Sequence, residues 1–223
     1  MSQQLAFELP FRPALERGDF FVSSANATAL AALDNWHNWP QRKMILVGPP
    51  GSGKTHLAHV WAQMSGATIV PGKDLASADL PDLAAAGAVV VEDCAMIAGD
   101  ETAETALFHL HNLLLSDGGA LLLTAQSPAR DWAIALPDLA SRVQAAGLAR
   151  LEAPDDGLLA AVLIKLFSDR QISVSPALIA FLLPRMDRSF DAARALVADL
   201  DAAALARGTA VTRGLAANLL DNR

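Results

Sequence analysis

The stretch that decides the fold is Gly48-Pro49-Pro50-Gly51-Ser52-Gly53-Lys54-Thr55, which matches the phosphate-binding loop pattern G-x-x-x-x-G-K-[ST] in full. The apolar run 44–47 precedes it and has the composition of a buried strand. The run 56–62 follows it without glycine or proline and is compatible with a helix. A strand, a glycine-rich loop and a helix in this order form the setting in which the pattern binds phosphate. A glycine-rich turn without a ligand is the alternative.

Each part of this loop has a chemical role toward a nucleotide and its metal ion. Glycines let the backbone turn tightly and aim successive N–H groups at an anion, and the next helix adds the positive end of its dipole. We expect Lys54 to contact the β- and γ-phosphates and the Thr55 hydroxyl to ligate Mg²⁺. The residues expected to hold ATP or ADP are Gly48, Pro49, Pro50, Gly51, Ser52, Gly53, Lys54, Thr55 and the adjoining His56.

Two later strand patterns end in polar residues. The run 88–91 is apolar and leads into Glu92 and Asp93. In phosphate-loop enzymes one acid at such a place serves the metal and another polarises the attacking water. We assign Glu92 to Mg²⁺ and Asp93 to the water, the alternative being a strand that simply reaches solvent. The run 120–126 offers Thr124 or Gln126 as a contact to the γ-phosphate.

The composition of the whole chain limits its function. Its 223 residues, 52% of them apolar, suffice for one large or two small domains with a real core. The net charge of −7 argues against strong autonomous DNA binding. The single cysteine, Cys94, excludes an internal disulfide and suits a reducing compartment. Since neither a membrane span nor a secretory signal is visible, we expect a cytoplasmic protein that does not enter a membrane.

The order of strand and helix patterns predicts an α/β domain followed by helices alone. We predict strands near 43–47, 67–70, 88–91, 120–126 and 148–151, and helices near 26–37, 79–86 and 101–116. Proline and glycine punctuate later helices near 155–170, 176–184, 188–206 and 213–221. The predicted units are therefore an N-terminal arm, 1–13, an α/β nucleotide-binding domain, 14–153, and a small all-helical domain, 154–223.

The arm contains a short alternating pattern at Gln4-Leu5-Ala6-Phe7-Glu8-Leu9, with apolar side chains at 5, 7 and 9. An edge strand that docks on its own domain would have this pattern. A linear peptide that fits a pocket of a partner would have it too, so the pattern alone leaves both interpretations open.

Taken together, the phosphate loop, acidic strand, polar-tipped strand, arginine turn and terminal helices resemble the AAA+ ATPases. The segments Ile97-Ala98-Gly99-Asp100-Glu101 and Leu136-Pro137-Asp138-Leu139-Ala140-Ser141-Arg142 further resemble the DnaA initiator family, and within it the Hda-type regulators of replication initiation. The resemblance covers nearly the whole chain. It implies an AAA+ P-loop domain with a parallel five-stranded sheet, followed by a helical lid.

The resemblance also implies roles for individual residues. The segment from Phe21 to Asn26 would lie near the adenine, and Arg142 would act in trans on the nucleotide of a neighbouring subunit. The family carries a lid arginine that faces the phosphates. The aligned residue here is Asp191, with Arg188 and Arg194 each three positions away, so this contact has no assigned residue.

The function implied by the resemblance is regulatory. Gln4, Leu5, Phe7 and Leu9 resemble a peptide that binds the DNA polymerase sliding clamp, and the implied activity is to promote hydrolysis of ATP bound to DnaA. With 154–223 taken as the lid, we expect no helix-turn-helix DNA-binding domain. An autonomous ATPase (a loader or remodeller), a nucleotide-dependent adaptor without hydrolysis and a DNA-binding initiator fragment are the alternatives. The preference for ADP or ATP and nucleotide-dependent self-association stay open.

Overall fold

A computed structural model describes residues 21–221 of the chain. The expectations for the arm, including the partner-binding role of Gln4, Leu5, Phe7 and Leu9, lie outside the described residues. No helix between residues 21 and 221 combines the length and the apolar character that crossing a bilayer requires.

A five-stranded parallel sheet organises the first domain. Its strands are β1 (Lys43–Val47), β2 (Thr68–Pro71), β3 (Ala88–Glu92), β4 (Ala120–Ala125) and β5 (Gly147–Arg150). They lie side by side in the order β2-β3-β4-β1-β5, and every pairing is parallel. Parallel neighbours need crossover connections, which the intervening helices provide. The predicted α/β class and parallel five-stranded sheet are confirmed.

The sheet is buried on both faces, which explains why its central strands appear in the sequence as continuous apolar runs. Because successive side chains of a strand point to opposite faces, Met44 and Leu46 pack on one side, and Ile45 and Val47 on the other. Helices α1 (Ala27–Asp34) and α2 (Lys54–Ser65) cover the first face. Helices α3 (Leu80–Ala85), α4 (Glu101–Ser116) and α5 (Pro137–Gln144) cover the second.

After β5 the described residues contain only helices and their connections. These are α6 (Asp156–Asp169), α7 (Pro176–Leu182), α8 (Phe190–Arg207) and α9 (Arg213–Asp221). Side chains of Asp155, Ser175 and Ser189 accept backbone hydrogen bonds and cap the starts of α6, α7 and α8. The four helices share a separate core that includes Leu159, Leu163, Phe167, Leu182, Leu196 and Leu200.

The first predicted helix is shorter than expected. Helix α1 ends at Asp34, and short 3₁₀ turns at Trp36–Asn38 and Pro40–Arg42 lead into β1. Trp39 and Trp61 stack here with ring centroids 5.0 Å apart. The turns let Trp39 pack on α2, a tertiary contact that a helical period cannot reveal.

The strand register brings three predicted site segments to one edge of the sheet. Val47 lies beside Ala125, and Val91 lies beside Leu123. The loop after β1, the acids at the end of β3 and the polar end of β4 therefore emerge next to one another. This edge, at the carboxyl ends of the strands, is where open α/β sheets bind ligands.

Candidate functional site: a phosphate loop and the cavity beneath the lid

The phosphate loop has the backbone shape that an anion cradle needs. Gly51 has φ 68° and Gly53 has φ 96°, a region that residues with a side chain rarely adopt. Helix α2 begins directly afterwards, and the Leu57 N–H donates to the Gly53 carbonyl at 2.9 Å. The loop thus ends at a helix N-terminus, which favours negative charge.

Lys54 lies on the floor of this loop. Its side chain is only 8% exposed, and Nζ donates to the carbonyls of Gly48 at 2.8 Å and Pro49 at 3.0 Å. Burial lowers the pKa of Lys54, while the nearby carboxylates of Asp93 and Asp191 act in the opposite direction. The loop therefore holds a cation that its own backbone orients.

Glu92, the last residue of β3, and Asp93, the next residue, lie near this lysine. Asp93 adopts the left-handed region, with φ 49° and ψ 42°, which is uncommon outside glycine and concentrates at functional sites. Its backbone N–H donates to Thr124 Oγ1 at 3.0 Å. Thr124 is 1% exposed and supports the backbone of Asp93, whereas Gln126 lines the cavity described next. Of the two γ-phosphate candidates, Gln126 has the more direct access.

A cavity of about 560 Å³ opens between the phosphate loop and the lid. This volume falls in the roughly 300–1,000 Å³ range of small-molecule sites. Lys54, Thr55 and Asp93 contribute polar groups, and Leu158 and Val162 of α6 contribute apolar surface. The cavity thus offers both a charged end and an apolar end.

Buried polar atoms without a partner test whether a nucleotide fits this site. Within residues 21–221 three side-chain atoms are buried without a hydrogen-bond partner: Ser52 Oγ, Glu92 Oε1 and, in the apolar core, Trp61 Nε1. Such atoms are rare and point to a missing ion, water or ligand. The first two belong to the phosphate loop and the acidic strand, so the residues present fit a phosphate group with its cation.

The predicted Mg²⁺ ligands fit only a site that the nucleotide completes. Thr55 lines the cavity, and Glu92 ends β3. Within the described part of the chain, no group of three or more His, Cys, Asp or Glu is placed to hold a metal. Mg²⁺ usually binds through one or two carboxylates together with substrate phosphates and water, so Thr55 and Glu92 agree with that mode.

The segment assigned to adenine lines the cavity, and a side chain within it fixes its backbone. Phe21, Asn26 and His56 all line it, and Phe21 is 41% exposed. Asn26 occupies the N-cap position of α1 but makes no capping bond. Its Nδ2 donates to the Phe21 carbonyl at 2.8 Å, and its Oδ1 accepts from the Ser23 N–H at 2.9 Å. Asn26 therefore shapes this segment.

The lid reaches the phosphate loop through the start of α8. The Phe190 N–H donates to the Gly51 carbonyl at 2.8 Å. Asp191 and Arg194 line the cavity and form an ion pair with each other. Arg188 instead pairs with Asp156 of α6. Among the three lid residues considered from the sequence, Arg194 is thus the cation that lies at the cavity.

Arg142 lies elsewhere. It is in the last turn of α5, half-buried, and does not line the nucleotide cavity. Its guanidinium carbon lies 5.0 Å from the ring centroid of Phe108 on α4, in cation–π geometry. The structure therefore separates Arg142 from the phosphate loop of its own chain.

A buried basic pair near Arg142 was missed from the sequence. Lys43 Nζ lies 3.2 Å from His111 Nε2, and both residues are buried. Burial lowers the pKa of His111, and the charges of Lys43 and Arg142 add to this effect. Burial likewise lowers the pKa of Lys43, with Arg142 again contributing. A polar residue on the apolar stripe of α4 was the signal that could have identified His111.

This pair makes stability depend on pH. Folding disfavours the protonated form of His111. Below pH 6.5, the ordinary pKa of histidine, unfolding is therefore accompanied by uptake of a proton. The free energy of unfolding should therefore fall between pH 6.5 and 5.5, with a slope of up to about 1.4 kcal/mol per pH unit. Urea unfolding of the His111→Gln variant should lack this slope. His109→Gln, an exposed change two residues away, should retain it; equal slopes in both variants would contradict the assignment.

Comparison with known proteins identifies the fold. No protein-family model matches the chain. Domain III of the Thermotoga maritima replication initiation protein DnaA matches with a TM-score of 0.78 and 19% identity, over 96% of this chain and 98% of that one.

Two further structures extend the comparison. AMPPCP-bound DnaA from Aquifex aeolicus matches with a TM-score of 0.70 and 18% identity, over 85% of this chain and 65% of that one. A Thermotoga maritima RuvB variant matches with a TM-score of 0.66 and 17% identity, over 88% and 67%. Residues 21–221 therefore have the AAA+ P-loop fold of DnaA domain III.

Proposed function

We propose that this chain is a nucleotide-binding AAA+ regulator of replication initiation, of the Hda type, that promotes hydrolysis of ATP bound to DnaA. The observation that carries the proposal is the separation of two elements. One is a complete phosphate-loop cavity; the other is Arg142, which lies outside that cavity. The first suits a bound nucleotide of the chain's own, and the second suits action on the nucleotide of a neighbour.

The nucleotide in the cavity would be ATP or ADP. The loop amides and Lys54 would hold the phosphates, and Phe21 and Asn26 would border the base. Bound with its phosphates, Mg²⁺ would neutralise phosphate charge, with Thr55 and Glu92 as its protein ligands. AMPPCP bound to the structurally similar Aquifex aeolicus DnaA supports a nucleotide here.

Arg142 would act on the initiator. A guanidinium placed beside the γ-phosphate of an adjacent subunit stabilises the charge that develops during hydrolysis. Its planar fork of donors suits phosphate oxygens better than the single ammonium of lysine. This chain would thereby convert ATP-bound DnaA into its ADP-bound form.

An autonomous ATPase is the second candidate, and one observation favours it. Asp93 has a strained backbone beside an unpartnered Glu92 oxygen, as expected of residues that position water and metal. Arg194, the lid arginine at the cavity, is ion-paired with Asp191, which favours the regulator instead. Turnover by the chain alone, compared with turnover in the presence of DnaA, separates the two candidates.

The deciding experiment uses ATP-loaded DnaA and sliding clamp on DNA, with and without this chain. We expect stimulated hydrolysis that depends on the clamp and is lost when residues 1–9 are deleted. If fully buried in a clamp groove, Leu5, Phe7 and Leu9 would each contribute about 1.5–3 kcal/mol to the free energy of binding. Ordering the segment would cost roughly 2–5 kcal/mol of this gain.

The truncated protein is its own control. If residues 1–9 serve only to bind the clamp, this protein should keep its melting temperature and its affinity for ADP. Full stimulation without residues 1–9 would exclude the clamp peptide. Unfolding of the truncated protein would show instead that the alternating segment is an edge strand of its own domain.

A further inference from the structure

One buried carboxylate links two loops of the α/β domain. Glu104 lies in the first turn of α4 and is 1% exposed. Its Oε1 accepts from the N–H groups of Gly99 at 2.8 Å and Ala135 at 3.0 Å. Its Oε2 accepts from Ala135 at 3.1 Å and Leu136 at 2.8 Å. Both oxygens are thus used by backbone amides of two separate segments.

These amides hold Glu104 in its charged form. Burial by itself would raise the pKa of the carboxyl, but the hydrogen bonds from Ala135, Gly99 and Leu136 outweigh it, so the pKa lies below the ordinary value. A buried carboxyl group stays ionised when backbone N–H groups donate hydrogen bonds to both of its oxygens. These hydrogen bonds therefore connect α4 to both loops in a fixed geometry.

The first loop adjoins the nucleotide cavity. Gly99 follows the short 3₁₀ helix Cys94–Ile97, which begins right after Asp93. The second loop leads into α5, the helix that carries Arg142. Leu136 is the N-cap of α5 and has no capping side chain, and Pro137 begins the helix without an N–H group. Glu104 supplies the acceptor at this helix start.

The placement of Arg142 depends on how α5 is anchored. Helix α5 spans eight residues, Pro137–Gln144, too few for a stable helix on its own. Leu139 and Val143 bury one face of it in the domain core. The guanidinium of Arg142 stacks on Phe108, which is four residues after Glu104 on α4. One face of α4 thus fixes the start of α5 through Glu104 and the guanidinium through Phe108.

We propose that Glu104 is a positioning residue that sets the orientation of α5 and thereby the position of the Arg142 guanidinium. Its consequence for hydrolysis rests on the in-trans role given to Arg142 above. Glutamine at position 104 has nearly the same shape but only one acceptor oxygen. The side-chain NH₂ group of glutamine would face at least one backbone N–H donor, so the hydrogen bond from Gly99 or the one from Leu136 would be lost.

The position of Arg142 can be measured without any partner. In the full chain, the Arg142 Nε–Hε NMR signal should be shifted upfield by the ring of Phe108 and should be assigned by its absence in Arg142→Lys. In Glu104→Gln we expect this signal to move toward that of exposed arginines. Leu114→Ala, on the same helix and buried at its other end, opens a cavity and should leave the signal in place.

The activity of the same variants tests the consequence. A small misplacement of a reacting group can cost as much as about 100-fold in rate, so Glu104→Gln should lower the maximal rate of stimulated DnaA hydrolysis roughly 10- to 100-fold. The concentration of this chain that gives half-maximal stimulation should change little. Leu114→Ala, compared at a temperature where both variants are fully folded, should keep the maximal rate.

The outcomes separate this proposal from the proposed function. An unmoved Arg142 signal in Glu104→Gln would overturn the positioning role. A moved signal with unchanged stimulation would support positioning and count against the action of Arg142 in trans. If Glu104→Gln does not fold, Glu104→Asp keeps the charge but shortens the reach, and the same shift of the signal is expected from it.

Discussion

Replacing Arg142 by alanine should abolish nearly all stimulation of ATP hydrolysis on DnaA. In related phosphoryl-transfer reactions, an arginine supplied in trans accelerates hydrolysis about 10³- to 10⁵-fold. A surface arginine in an ion pair contributes only about 0–1 kcal/mol to stability and nothing to the rate on a partner. The two interpretations thus differ by several powers of ten, and single-turnover hydrolysis by ATP-loaded DnaA distinguishes them.

The fold and the nucleotide of the Arg142→Ala variant should be intact, because Arg142 does not line the cavity. Arg142→Lys should restore little activity, since an ammonium cannot reproduce the planar fork. Arg213→Ala is a matched control: Arg213 also stacks on a phenylalanine, Phe181, at 4.8 Å, but it lies in the lid. Stimulation by Arg142→Ala equal to that of the unmodified chain would make this arginine structural.

Replacing Lys54 by alanine should weaken ADP and ATP binding roughly 10- to 150-fold, as expected for a lost hydrogen bond to a charged group. The structure gives a second reason for a large effect. The carboxylates of Asp93, Asp191 and Glu92 all lie close enough to Lys54 to act on its charge. Without Lys54, the carboxylates of Glu92 and Asp93 would lose a nearby positive charge and would repel the phosphates. Calorimetric titration with each nucleotide measures the loss.

Thermal unfolding provides an independent measurement of the same effect. A ligand that binds only the folded chain raises the melting temperature by mass action, and Lys54→Ala should reduce that rise. Arg207→Ala removes an exposed positive charge at the far end of α8 and should bind like the unmodified chain. Unchanged affinity in Lys54→Ala would refute the assignment of residues 48–55 as a phosphate site.

The strands of the sheet could be predicted because each leaves a signal in its own short stretch of sequence. Strands buried on both faces appear as apolar runs, and the phosphate loop carries its own pattern of glycine, lysine and threonine. The acids at Glu92 and Asp93 follow such a run directly. Their position near Lys54 depends on the strand order β2-β3-β4-β1-β5, which was not predicted and which brings the carboxyl ends of β1, β3 and β4 to one edge.

What could not be predicted depends on contacts between distant segments. Glu104 and His111 lie seven residues apart on the buried stripe of α4, and their partners are backbone amides at 135–136 and a lysine at 43. No local pattern shows which acceptors those amides need. The hydrogen bond between Phe190 and Gly51 likewise joins two domains.

The order of the strands has a consequence for how the protein is made. Strand β1 carries the phosphate loop and is flanked by β4, which begins at Ala120, and β5, which begins at Gly147. At a synthesis rate of about 5–20 residues per second, roughly 4–15 s separate the translation of Val47 from that of Ala120. During that time β1 has neither neighbour and its apolar run has no sheet to join. The binding loop is therefore among the first parts of the domain to leave the ribosome and among the last to acquire its structure.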